Sequence, residues 1–176
     1  MKKTFFIDSG IMFLYIFSAC ILNLLITGLT LKIVDTFVLL GYFTLSTIKM
    51  AVSAIAVAGI LGALTYLLAY RKASFSAGYF TGTFLAGSAL QLALSVLFKF
   101  RTFISGGVMY LAGIFEHGTA LSAEGWEHVG IIDYLLAFLV FTAVYYVTCI
   151  ICGKVAVKKR LRDRAELIGK NSQKNY

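Results

Sequence analysis

Four stretches of this chain are apolar at nearly every position: residues 10–31, 50–70, 74–98 and 131–153. The first three hold no Asp, Glu, Lys or Arg, and the fourth admits only Asp133 near its start. A bilayer core about 30 Å thick is crossed by about 20 helical residues. The pattern therefore predicts an all-α, polytopic membrane protein: a four-transmembrane-helix bundle over residues 1–153, followed by a basic tail over 154–176.

Two shorter apolar stretches fall between spans. The first occupies 36–48 and opens "TFVLLGYFTLS"; the second, 102–115, reads "TFISGGVMYLAGIF". Both are too short to cross, and stretches of this length are usually interfacial or re-entrant. The expectation is two such segments on the outer side, the first of which can instead extend span two into a long helix past Lys49. Their matching places in the two halves fit the arrangement that marks a transporter's site, although the halves share no residue-level similarity. Gly106 and Gly107 permit a sharp turn in the second segment.

Composition agrees with the pattern. The chain is 60% hydrophobic and 14% charged, against about 45–50% and about 25% in soluble domains. Proline is absent, where average usage would give about nine, so the spans are expected to run fairly straight. Cys20, Cys149 and Cys152 fall in apolar runs and do not form the spaced framework of a small secreted domain.

Charge sets the expected orientation. Lys2, Lys3, Arg71, Lys72 and the eight basic residues after span four lie on one side of the bilayer. Lys32, Lys49, Lys99 and Arg101 lie on the other. Twelve against four predicts a cell-membrane protein with both termini cytoplasmic. The opening "MKKTFFIDSGIMFLYIFSAC" has the basic start and small residues of a lipoprotein signal. The apolar run nevertheless continues past Cys20, so an ordinary first span is expected.

Small residues suggest how the spans pack. Gly78, Gly82 and Ala86 line one face of span three, and Ala54, Ala58 and Gly62 line one face of span two. Such faces let helices approach closely in lipid. With a short turn between them, spans two and three are expected to form an antiparallel hairpin at the core, although the same stripe suits a subunit contact. Asn23, Gln91 and Thr142 fall well inside their spans, as interhelical hydrogen-bonding groups or as the lining of a substrate path. No carboxylate lies deep in a span, which disfavours a proton-coupled pump.

Three clusters carry candidate chemistry. "EHGTALSAEGWEH" holds both histidines, and Glu116, His117, Glu124, Glu127 and His128 are candidate ligands for a divalent metal. Glu124 and His128 have i,i+4 spacing, but Gly118 and Gly125 weaken a helix there and no HExxH pattern is present. A solvated acidic loop with Trp126 at the headgroup level is the plainer expectation. Cys149 and Cys152 make a CxxC near the end of span four. That tetrapeptide on four spans resembles membrane thiol oxidoreductases such as the vitamin K epoxide reductase family, which implies redox use of the pair. Here the pair falls on the cytoplasmic side by the charge rule, with no outer cysteine pair to relay electrons.

The third cluster is the tail "KVAVKKRLRDRAELIGK", with apolar residues at helical spacing among Lys158, Lys159, Arg160, Arg162 and Arg164. Anionic inner-leaflet lipids attract such segments, and a cytoplasmic partner is the alternative. Nucleic acid is not expected, because no fold or aromatic platform accompanies the charge.

The function expected from these features is non-enzymatic: a small transporter or channel, or a subunit of a larger transport or export assembly, with other membrane subunits or further copies as partners and no cofactor. Two alternatives stand beside it. One is a membrane enzyme acting on a lipid or peptide through the outer Glu/His cluster; the other is a thiol oxidoreductase using Cys149 and Cys152.

Overall fold

With no proline to stop them, the first, second and fourth apolar runs continue as helix past their own ends. The computed structural model describes residues 2–37, 42–72, 74–98, 108, 111–112 and 130–174. Helix α1 spans Lys2–Phe37, α2 spans Tyr42–Lys72, α3 spans Ala77–Leu97 and α4 spans Ile131–Lys174. At 1.5 Å per residue the 36 residues of α1 reach about 54 Å and the 44 of α4 about 66 Å. All four are long and apolar enough to cross a membrane. Among the described residues the protein is therefore an all-helical bundle with four helices long and apolar enough to cross a membrane.

Local chemistry fixes two of the helix starts. Ser76 sits in extended backbone at the N-cap of α3, and its hydroxyl accepts from the Tyr79 amide at 3.4 Å. α4 starts after Gly130, whose carbonyl accepts from the Tyr134 amide at 3.1 Å. Asp133 in its first turn complements the helix dipole.

Two segments differ in form from the simplest reading of the sequence. Within 36–48, residues 36–37 end α1 and Tyr42 already begins α2. The helix thus runs through Lys49, the long form of span two, because nothing between Tyr42 and Met50 interrupts it. Of 102–115, Val108, Leu111 and Ala112 are described, all helical. Val108 and Ala112 are buried in the main core with Ile16, Cys20, Phe84 and Phe141.

Side-chain contacts give the topology. α1 and α3 run parallel: Asp8 meets Tyr79, and Met12 and Phe13 lie against Gly87. α2 and α4 run parallel to each other: Gly62 faces Thr148 and Cys152, and Tyr70 reaches Asp163. The Lys2 end of α1, the Lys72 end of α2, the start of α3 and the tail half of α4 therefore share one end of the bundle.

The expected core hairpin of spans two and three is not how the helices pack. α2 makes its extensive contacts with α4 and α1, and α3 makes its own with α1. The small residues are used accordingly. A Cβ at Gly62 would lie 3.1 Å from both Cys152 Sγ and Thr148 Cγ2, so this glycine admits α4. A Cβ at Gly82 would lie 3.1 Å from the Phe5 ring, so that glycine admits α1. Gly78 has no atom within 4 Å of such a Cβ. Ala58 is buried, and Ala54 and Ala86 are half-buried. α1 also comes close to α3 at Gly87, where a Cβ would stand 2.9 Å from the Phe13 backbone nitrogen.

Candidate functional site

Because α2 and α3 both rest on α1, a space opens between them. It is a cleft of about 390 Å³ at the terminus-bearing end, within the size range of small-molecule sites. Asp8, Lys72, Ser74, Ser76 and Tyr79 form its polar edge. Met12, Leu61, Leu64, Leu68, Phe75 and Phe80 form its apolar wall, with the hydroxyls of Tyr15, Thr65 and Thr83 set among them. Tyr79 Oη donates to Asp8 Oδ2 at 2.5 Å across the edge. Thr65 and Thr83 donate back to their own helices, Thr65 to Leu61 O at 2.8 Å and Thr83 to Phe80 O at 3.0 Å.

α3 is polar on the inside. Thr83, Ser88, Gln91 and Ser95 are 3%, 6%, 2% and 0% exposed, whereas Leu85, Leu90 and Leu97 are 55%, 49% and 78% exposed. A helix that turns leucines to lipid and amide and hydroxyl groups to the core inverts the soluble pattern. It therefore needs partners or water inside. Part of the need is met within the helix, since Ser95 Oγ donates to Gln91 O at 2.9 Å.

A second space lies further along this face. It measures about 20 Å³, room for about one water. Ser88, Gln91, Thr142, Tyr145 and Cys20 line it, together with Ile16, Phe84, Val108, Phe138 and Phe141. Phe80 borders the cleft and Phe84 the inner space. Their rings stack at 5.6 Å between centroids, and Tyr146 packs against both at 6.4 and 5.7 Å. Thr81 Oγ1 and Tyr146 Oη share a 2.8 Å hydrogen bond that holds this aromatic group to α4.

The other candidate residues scatter. Gln91 and Thr142 meet at the inner space, while Asn23 lies apart and donates through Nδ2 to Ser53 Oγ at 3.1 Å, joining α1 to α2. Cys149 is buried in the core, and Cys152, one turn later on the same helix, faces Gly62; both are free thiols. Glu116, His117, Glu124, Glu127 and His128 lie outside the described residues.

In the tail, Lys158, Lys159, Arg162 and Arg164 are exposed, and Arg160 lies over the Tyr70 ring at 5.1 Å. Tyr70 Oη donates to Asp163 at 2.7 Å. The tail thus continues α4 alongside the end of α2.

The cleft residues Asp8, Lys72, Thr65, Tyr79 and Thr83 were not among those the sequence singled out. Asp8 stands in the second turn of α1 because the helix begins at Lys2. A span drawn from residue 10 leaves it out. The hydroxyl and amide residues at 83, 88, 91 and 95 do carry a readable signal, since their spacing keeps them on one helical face. No family model matches this chain, and no curated protein or solved structure matches it either.

Proposed function

We propose that this protein is a non-enzymatic membrane transport component, acting alone as a small transporter or channel or as a membrane subunit of a transport or export assembly. One observation carries the reading: the inward face of α3 that holds Thr83, Ser88 and Gln91 runs from the open cleft, past the Phe80–Phe84–Tyr146 aromatic group, to the small inner space. Polar side chains are costly in a bilayer unless backbone, side-chain or water partners satisfy them, and a water-filled route is one such source. The aromatic rings then act as the constriction. In this reading the chain sits in the cell membrane with both termini and the cleft facing the cytoplasm, as the lysine and arginine distribution favours. The burial of Val108 and Ala112 in the core with Phe84 and Phe141 favours the re-entrant over the interfacial reading of their segment.

The test is water access. With Cys20, Cys149 and Cys152 replaced by serine or alanine, single cysteines are introduced at Thr83, Ser88, Leu85 and Leu90. The full chain is then treated in liposomes with a small water-soluble thiol reagent. Thr83→Cys is expected to react, Ser88→Cys to react more slowly behind the aromatic constriction, and the two leucine positions to stay unmodified. Silence at both Thr83→Cys and Ser88→Cys would contradict a transport route.

A second element of the reading concerns assembly. Residues 158 and 159 stand about 8 Å beyond Gly153 along α4, and residue 164 about 16 Å. Lys158 and Lys159 therefore suit anionic headgroups, whereas Arg162 and Arg164, beside exposed Leu161, Leu167 and Ile168, suit a cytoplasmic partner subunit.

A further inference from the structure

The cleft has a chemistry of its own that points to a ligand class. It lies at the end of the bundle where α1 begins, α2 ends and α3 begins. Its walls come from α1, α2 and the start of α3, and no α4 residue lines it. The apolar wall on α2 runs from Leu61 to the edge at Lys72, about 16 Å along the helix. The edge itself presents a carboxylate, Asp8, on one helix and an ammonium, Lys72, on another, with the Ser74 and Ser76 hydroxyls beside them.

We propose that this cleft binds one phospholipid of the leaflet it opens on, its primary-amine zwitterionic headgroup held between Asp8 and Lys72 and an acyl chain laid along the α2–α3 gap. The charge pattern decides among occupants. A fully apolar molecule makes no use of the charged edge, and a small polar solute leaves the leucine and phenylalanine wall in contact with water. An anionic headgroup satisfies Lys72 but is repelled by Asp8. A primary-amine zwitterion satisfies both: its ammonium donates to Asp8, and its phosphate accepts from Lys72, Ser74 and Ser76. The inference rests on the bilayer placement in the reading above, but not on movement of any solute.

The experiment is native mass spectrometry of the full chain, purified in mild detergent and supplied with equal amounts of phosphatidylethanolamine and phosphatidylglycerol of matched acyl chains. One phosphatidylethanolamine is expected to remain bound, preferred about fivefold, the size of a single exposed charge-assisted contact. Asp8→Asn should erase the preference. Lys72→Gln, at an exposed position that folding tolerates, should weaken binding of both lipids. Leu64→Trp, which fills the wall, should remove the bound lipid. Soluble phosphoethanolamine in excess should not displace it, because the acyl chain contributes to binding. Equal retention of the two lipids, or a preference unchanged by both Asp8→Asn and Lys72→Gln, would overturn the proposal. Thiol labelling at Ser88→Cys is unaffected by either result, so failure of the lipid site and failure of the transport reading are separable.

Discussion

The Tyr79 hydroxyl donates to the Asp8 carboxylate over 2.5 Å, tying the first turn of α3 to the second turn of α1. The bond spans the edge of the cleft and sets the distance between two of its walls. Tyr79→Phe keeps the ring and removes the donor. Because the bond is exposed and solvent competes for both groups, its loss should lower stability only slightly. Thermal unfolding in detergent measures this, and the loss should vanish when Asp8 is already Ala, which has no side-chain acceptor. A full-sized effect of Tyr79→Phe in the Asp8→Ala background would show that the hydroxyl acts through another group.

Gly87 and Gly78 lie on the same helix but should respond oppositely to a methyl group. At Gly87 the new Cβ meets the Phe13 nitrogen at 2.9 Å and the Met12 carbonyl carbon at 3.2 Å, both backbone atoms that cannot step aside. Gly87→Ala should cost about 1–3 kcal/mol. Gly78→Ala meets nothing within 4 Å and should be neutral, or gain up to about 1 kcal/mol from helix propensity. Unfolding midpoints of the two variants side by side check the prediction.

Asn23 and Ser53 form the buried hydrogen bond between α1 and α2. Interhelical bonds of this kind in membranes average about 0.6 kcal/mol. A double-mutant cycle with Asn23→Ala and Ser53→Ala should return a coupling near that value. A coupling of zero would mean that the pair does not meet in the folded protein.

α4 should behave as one straight rod. Spin labels at Val147 and Glu166, both exposed, are 19 residues apart and should lie about 29 Å from each other. Tyr70 helps by holding Asp163 at 2.7 Å and stacking against Arg160. A tail that bent at the membrane surface to lie on it would give a shorter, broader distance.

The four spans were legible because lipid imposes a coarse rule: long uncharged runs must be helical and must cross. Partner choice between helices was not legible. Gly62 and Gly82 marked close approach correctly as a property, but each admits a different neighbour from the one a short connecting turn suggests. Small-residue faces state how near a helix can come, without stating which helix comes. Asp8 was missed for a related reason. A charge near the end of an apolar run reads as a boundary, yet helical hydrogen bonding ignores hydropathy, and α1 begins six residues earlier at Lys2. Gln91 and Thr142 were picked out as polar residues in spans, and the fold brings both to one small internal space.

The account depends most on the cleft and both chain ends facing the cytosol. The direct measurement is impermeant-maleimide labelling in intact cells of otherwise cysteine-free protein carrying Ser74→Cys at the cleft edge or Arg164→Cys on the α4 tail. Both positions are exposed and share one end of the bundle. The account predicts that neither labels until the cells are permeabilised and that both then label fully. Labelling of either in intact cells would contradict it.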